Sequence, residues 1–479
     1  MTAVEMGVDL SSFIQVLVSG DKNRIIAAAR AHLQQGELAD ILIGRLALLA
    51  TLGDPDGHAT TTLGAAAMLS RLLHFVPDPL TPTTALEERA LPLFAQALFV
   101  AAPAIQAGNQ RALEIPEPFF PSGLREGQSV ESALHDAVFN NDMLLTERLL
   151  FGLYGTGADY RTLQVRTYDS IATTFQNGGH PLIFAVRGFQ VLDAVEWGDR
   201  APAIIHWIAP HLPLRPNSDE PEWVQPLRSY VDKVLNDVKK IRIRLALPKN
   251  ANALPLRQII TNETDATKVC QGVYDALITN GASPRAVASV IALAAADILL
   301  QIDDTDRELF IHAAHGLLFA SAVRTIFQQV QDVDVLPLLF TSAAYVSALH
   351  QEISAHPSSH KASAPAAPRV VGGGLVATSL LDTLAGQLAG KDYADAFTSA
   401  HRYLSVGYDA RALFATIALS AAKIDASGDQ GHALQIVQAA SDAFLLWPDD
   451  LKETSLDTLV QIAIRAALYG ERDPLLAQL

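Results

Sequence analysis

Apolar residues recur along most of this chain at the three- and four-residue spacing of amphipathic and buried helices. Few stretches alternate apolar and polar residues with the period of two that strands require. The longest apolar runs, Leu91–Ile105 and Ala286–Leu300, are interrupted by Gln96 and Asp297 before they reach membrane-spanning length. We therefore predict an all-α protein in which both runs are buried helices.

Four segments share one order of features, namely two apolar helices joined by a glycine-containing turn, a polar turn, and a third helix. They are residues 32–73, 153–195, 277–323 and 403–446. Each is followed by a further apolar helix. A recurrence of about 120 residues predicts four diverged copies of one helical unit. We expect the four helical repeats to close around a shared central cavity.

Loop signals divide the chain into the corresponding parts. The predicted repeats cover residues 1–120, 121–250, 251–355 and 377–479. Residues 356–376 are rich in Pro, Ala and Gly, which predicts a linker or a lid between the third and fourth repeats.

The turns between the first two helices of each unit carry matching residues. A glycine stands where each first helix should end, in the left-handed conformation that glycine adopts without steric cost: Gly36, Gly157, Gly281 and Gly407. In three units a residue suited to N-capping follows two positions later: Asp159, Ser283 and Asp409. These positions predict helix boundaries in the same place in every unit.

A histidine opens the third helix in three of the units, after a glycine: His58, His180 and His432. In the third unit, Glu308 and His312 occupy the corresponding helix and share one face, because they are four residues apart. If the repeats converge, these side chains meet. Imidazoles with or without one carboxylate suit Fe(II), Zn or another first-row divalent ion. We predict a metal site from His58, His180, His432 and either His312 or Glu308.

Two further residues are candidates for catalysis. Lys423 lies in an apolar helix nine residues before His432, and it either reaches solvent at the helix end or is partly buried with a lowered pKa. A buried amine could bind a carboxylate, act as a base, or become a carbamylated metal ligand. His135 opens the first helix of the second repeat, where it either packs structurally or orients a ligand or substrate.

Composition narrows the class of protein. The formal net charge of −16 argues against general nucleic-acid binding, and the single cysteine, Cys270, fits a reducing, cytoplasmic compartment without an internal disulfide. The chain carries no Walker A motif and no complete Gly-x-Gly-x-x-Gly, so we expect no nucleotide cofactor. We also expect no membrane span.

The segment Gly178-Gly179-His180-Pro181-Leu182-Ile183 resembles the Gly-His-Pro-Leu-Ile-His stretch of the questin-oxidase-like family. The turns at residues 157–159 and 281–284 are similar to that family's Gly-Ala-Ser-Pro turns. The resemblance covers residues 130–350. It implies a helical oxygenase that acts on anthraquinone-like rings with O2, using histidine-bound non-haem iron and a modified lysine. It carries over His180 alone, because Phe184 replaces the family's second histidine; the third repeat has His312 at that place.

We therefore expect an Fe(II)-dependent oxygenase that oxidises or cleaves the ring of a small aromatic molecule with O2. Two alternatives remain open at this point. One is a helical-repeat scaffold that binds a partner protein and needs no metal. The other is a hydrolase that holds Zn at the same histidines.

Overall fold

The described residues of the computed structural model are almost entirely helical and contain no β-strand. They are residues 10–77, 87–109, 111–157, 159–215, 220–241, 252–303, 306–357, 359, 376–426, 428–451 and 454–479. Two isolated β-bridges, Ile302 with Ser359 and Ile424 with Arg472, are the strand-like pairings among them. The all-α prediction is confirmed. The predicted linker or lid at 356–376 lies almost wholly outside the described residues.

The α-helices of the described residues are α1 (Ser11–Ser19), α2 (Lys22–Gln34), α3 (Ala39–Ala50), α4 (His58–Ser70), α5 (Leu91–Gly108), α6 (Val130–Phe139), α7 (Met143–Gly155), α8 (Tyr160–Ser170), α9 (His180–Val195), α10 (Ala201–Ile208), α11 (Val224–Lys239), α12 (Pro255–Asn262), α13 (Ala266–Tyr274), α14 (Pro284–Leu299), α15 (Arg307–Gln329), α16 (Pro337–Ala355), α17 (Ala377–Ala389), α18 (Tyr393–Ser405), α19 (Ala410–Ala421), α20 (His432–Leu445) and α21 (Asp457–Leu468). A π-helical turn, Asp275–Thr279, extends α13.

The predicted turn residues define the helix boundaries. All four turn glycines have positive φ, between 68° and 87°. The three predicted caps accept hydrogen bonds from the first turn of α8, α14 and α19: the side chain of Asp159 from the N–H of Arg161, that of Ser283 from Ala286, and that of Asp409 from Arg411. Each cap satisfies backbone donors that would otherwise lack a partner.

Four helices form the centre of the fold. Helix α4 packs against α9, α9 against α15, α15 against α20, and α20 against α4, so the contacts close a ring. Helices α4, α9 and α20 are buried along most of their length, and so is α15 beyond its first turns, because a further layer of helices covers them. Helices α3 and α5 pack against α4, α14 and α16 against α15, and α19 and α21 against α20.

The two interrupted apolar runs are buried helices, as predicted. Gln96 in α5 is 1% exposed, and its amide donates to the carbonyls of Ala421 and Ile424 at 2.9 and 2.7 Å. Asp297 in α14 accepts two hydrogen bonds of 2.6 Å from Arg257. The amide nitrogen of Gln96 and the carboxylate of Asp297 are therefore paired inside the protein rather than facing lipid.

Two helical stretches, Glu88–Gly108 and Arg307–Gln329, are long and apolar enough to cross a membrane by length and composition. Their apolar windows are 72% and 78% buried inside the protein. Such burial is typical of core helices, whose apolar surface is covered by other helices rather than by lipid.

Candidate metal centre

Four histidines meet where the central helices converge. The rings of His58, His180, His315 and His432, hereafter the histidine cluster, touch one another around a closed circuit. In the order 58–180, 180–315, 315–432 and 432–58, the ring centroids lie 5.4, 4.8, 5.1 and 5.1 Å apart. The sequence of contacts is the same as that of the four helices, so each helix contributes one imidazole.

These separations match those of imidazoles that share one ion. With metal–nitrogen bonds of about 2.1 Å, two ring centroids lie about 4.5 Å apart at a right angle and about 5.2 Å apart at the tetrahedral angle. The four centroid separations in the cluster, 4.8 to 5.4 Å, overlap this range and slightly exceed it.

Backbone carbonyls orient three of the four rings of the cluster, all but that of His58. The Nδ1–H groups of His180 and His432 donate to the carbonyls of Asn177 and Asp429, and that of His315 donates to Ile311 at 2.9 Å. This selects the tautomer in which Nε2 carries the lone pair, as in many metal-binding histidines. The Nε2 atom of His315 is buried and has no hydrogen-bond partner among the described residues. Such an orphaned acceptor fits a metal ligand.

The imidazoles of the cluster are held in the neutral form. Burial and the neighbouring histidines together lower the pKa of His58 and His315 to about 3 and that of His432 to about 4. Burial also lowers the pKa of His180. Four neutral imidazoles are the donor set that Zn, Fe, Cu and Ni accept.

Glycines place three of the histidines at the first position of their helices. Gly57, Gly179 and Gly431 have φ of 76°, 84° and 80°, which few other residues adopt. A Cβ atom on these glycines would overlap a side chain of the next central helix, namely Phe184, Phe319 and Thr62 respectively. Close approach of each turn to the neighbouring helix is therefore what brings the histidines together.

Those close contacts follow one pattern in α4, α9 and α15. Phe184 is four residues after His180, Thr62 is four after His58, and Phe319 is four after His315. His315 thus occupies the place in α15 that the other histidines occupy in their helices. Seven residues after each histidine, three helices carry alanine and the fourth carries buried Arg187, whose side chain reaches Gln438 of α20.

The structure corrects the prediction for the third repeat. Glu308 is exposed, and His312 is half exposed and pairs with Glu352 at 3.0 Å rather than joining the cluster. The physical reason is that α15 begins at Arg307, eight residues before its clustered histidine, whereas the other three helices begin at theirs. The fourth member of the histidine cluster is His315, which lies on the same helix face but was not among the predicted ligands.

Lys423 lies at the end of α19 among residues of the C-terminal segment. Its backbone carbonyl accepts from the N–H of Asp473 at 3.1 Å, and burial together with Arg472 lowers the pKa of its amine. The lowered pKa agrees with the partly buried alternative. None of its contacts among the described residues is with the histidine cluster, so the structure does not bring it to the site.

His135 belongs to a separate group with Glu131 and Asp169. Their potential ligand atoms lie within 4.8 Å of one another, so this group could also hold a metal ion. Arg166 already occupies it, at 3.3 Å from Glu131 and 3.7 Å from Asp169. Burial opposes the charge on His135, but the hydrogen bond and charge of Asp169 raise its pKa. A protonated imidazole beside an arginine fits an ion-pair network better than a metal site.

The charge on His135 leads to a testable pH dependence. A histidine whose pKa is raised by folding stabilises the protein fully below its unfolded pKa of about 6.5, and this contribution is lost as pH rises through the folded pKa. We expect His135→Gln to lower the free energy of unfolding by up to about 1 kcal/mol at pH 6 and by less at pH 9. Urea unfolding with a chelator present measures this difference; a cost that grows with pH would contradict it.

His211 is a neighbour of the cluster that the sequence did not single out. Its ring contacts those of Phe184 and Trp207, with centroids 4.9 and 6.1 Å away. Burial, Arg215 and His180 lower its pKa to about 4, so it is a neutral imidazole close to the cluster. The sequence around His211 has no counterpart in the other segments, so no pattern in the sequence indicates a role for it.

Comparison of the chain with protein-family models, curated proteins and solved structures finds no significant match to any of them.

Proposed function

We propose that this protein is a metal-dependent oxygenase whose histidine cluster binds one Fe(II) ion. The observation that carries the proposal is the convergence of four imidazoles from four helices, at centroid separations of 4.8 to 5.4 Å. Uncoordinated neutral histidines have no reason to be gathered in this way, because burying their polar nitrogens together costs free energy. A bound ion would compensate for that cost.

We further propose that the four central helices are diverged copies of one unit around a shared centre. Each of the turns at Gly57, Gly179 and Gly431 packs against the next central helix, at the residue four positions after the clustered histidine of that helix. This regularity supports a common origin. The position seven residues after the histidine is alanine in three of these helices and Arg187 in the fourth, so one copy has diverged there. At a metal site shared by the four copies, each copy would supply one ligand.

The surroundings of the cluster favour an anionic substrate group. Helices α4, α9 and α20 all begin at their histidines, so the positive ends of three helix dipoles point at the site. This favours the phenolate or enolate form of an aromatic substrate.

Fe(II) would supply the activation of O2 that an organic side chain cannot provide, whereas Zn would supply only Lewis-acid chemistry. The choice of iron rests on the resemblance of the turn around His180 to the questin-oxidase-like family. That resemblance also suggests a hydroxylated anthraquinone-like substrate, whose ring would be oxidised or cleaved. Our proposal assigns no role at the metal to Lys423.

Metal content and O2 consumption test this function. The full chain should be produced in metal-replete medium, analysed for elements, and loaded with Fe(II) under anaerobic conditions. We expect one Fe per chain, and uptake of O2 at an electrode only when a hydroxylated anthraquinone from a small panel is added. Mass spectrometry should show oxygen atoms incorporated into the product.

Other outcomes of the same experiment identify the alternatives. Stoichiometric Zn that Fe(II) cannot replace, without O2 uptake, would favour a hydrolase at the same histidines. Absence of any stoichiometric metal would rule out the proposal and favour a helical scaffold. Zn-loaded protein serves as the matched control for the oxygen measurement, because it retains the fold and the charge of the site.

A further inference from the structure

A second cavity lies away from the histidine cluster, between the start of α15, the start of α18 and the end of α21. It has a volume of about 390 Å³. Arg307, Lys391 and Arg465 line it together with Tyr393 and Tyr469. The described residues that line this cavity include three cations and no acid, in a chain whose formal net charge is −16. Such a concentration of positive charge in a cavity points to an anionic ligand.

Two of the cations converge on one point of the wall. Lys391 donates from Nζ to the carbonyl of Gly470 at 2.7 Å. The Nη2 atom of Arg307 lies so close to Gly470 that a Cβ atom there would be 3.3 Å from it. Gly470 therefore has both cations as close neighbours, Lys391 at its carbonyl and Arg307 at its Cα. Together they can donate to the two oxygens of one carboxylate.

Arg307 has hydrogen-bonding capacity to spare. Its Nε and Nη2 atoms are buried and have no hydrogen-bond partner among the described residues. The nearest carboxylate is that of Asp429, at 3.9 Å, which is beyond hydrogen-bond distance. Asp429 is itself engaged in accepting hydrogen bonds from the N–H groups of Gly431 and Ala433. These two atoms are closed to solvent, whereas the Arg307 side chain as a whole is 32% exposed and lines the cavity, so a ligand would meet its exposed part.

The aromatic walls of the cavity are fixed and flat. The ring of Tyr469 stacks on that of Phe310, with centroids 4.3 Å apart and an angle of 15° between the planes. The hydroxyl of Tyr393 donates to Gln461 at 3.1 Å. Arg465 is held by the carbonyls of Leu299 and Ile302. Rigid rings beside a pair of cations suit a planar ligand that carries a negative group.

We propose that this cavity binds a small aromatic carboxylate. Its carboxylate would be held between Arg307 and Lys391, and its ring would lie against Tyr469 and Tyr393. This site is separate from the histidine cluster and needs no metal. It therefore does not depend on the proposed oxygenase function.

Calorimetric titration of the full chain with 2-naphthoate tests the proposal, with 2-naphthylmethanol as the uncharged match. We expect one naphthoate site, and binding of the alcohol at least tenfold weaker. Arg307→Gln and Lys391→Gln should each weaken naphthoate binding about tenfold or more. Lys268→Gln makes the same charge change at an exposed lysine that does not line the cavity, and it should leave binding unchanged.

Three results would overturn this assignment: equal binding of the alcohol, equal loss of affinity in Lys268→Gln, or inorganic phosphate binding as tightly as naphthoate. Lys391 is exposed, so its variant keeps the test valid even if Arg307→Gln fails to fold. Naphthoate binding must also persist in chelator-treated protein and in His180→Ala. Loss of binding there would place the ligand at the histidine cluster and would also overturn the proposal.

Discussion

Replacing His315 by alanine is expected to lower metal affinity on the order of 100-fold or more. Sites with four protein ligands bind zinc with about 10–16 kcal/mol, so one ligand contributes roughly 3 kcal/mol, which is a factor of about 100. The loss should appear as less than one metal per chain after dialysis against a weak chelator. Metal titration with a competing indicator would measure the change in affinity.

His312→Ala is the matched control for this variant. His312 lies three residues earlier in the same helix, but its ring is half exposed and pairs with Glu352 on the surface. We expect this variant to keep the metal content of the wild type. If His312→Ala lost the metal and His315→Ala kept it, the assignment of His315 as the ligand from α15 would be wrong. The prediction of His312 from the sequence would then be right.

Gly179→Ala is expected to destabilise the protein by about 2–5 kcal/mol and to reduce its metal content. An alanine with φ near 84° is strained by about 1–2 kcal/mol, and overlap of the new methyl group with the Phe319 ring adds about 1–3 kcal/mol. The shifted turn would also carry His180 away from the cluster. Thermal unfolding and metal analysis of the same preparation measure both effects.

Gly36→Ala separates strain from overlap. Gly36 has the same φ of 84°, but no atom lies within 4 Å of the position that its Cβ would take. Its replacement should cost only the backbone strain, about 1–2 kcal/mol, and leave the metal content unchanged. Equal destabilisation by Gly36→Ala and Gly179→Ala would show that the contact between the Gly179 turn and α15 contributes nothing to stability.

Much of the fold could be predicted because its determinants are local. A glycine ends a helix and a capping residue begins the next within a few positions, so Gly157 and Asp159 identify a boundary without reference to the rest of the chain. The three Gly-His pairs are local signals of the same kind. They predict where a histidine enters a helix, and their recurrence predicts that the histidines are related.

The fourth histidine could not be found in this way, because its position depends on the length of α15. Matching Gly188 with Gly316 places Glu308 opposite His180, yet α15 begins well before the cluster and His315 reaches it from the third turn. Helical periodicity shows which residues share one face of a helix. It does not show which of those residues contacts a helix that is distant in sequence. Lys423 illustrates the same limit, since its neighbours come from the end of the chain.

The closing contact of the central ring joins parts of the chain that are very far apart in sequence. The hydroxyl of Thr62 donates to the carbonyl of Gln430 and accepts from the amide of Gln435, across separations of 368 and 373 residues. Contacts of such long range form slowly, because most of the chain must be ordered before they stabilise it. During synthesis, His58 emerges from the ribosome long before His432 has been added to the chain. The ion that we propose at this site would therefore be enclosed by all four histidines only after nearly the whole protein has been made.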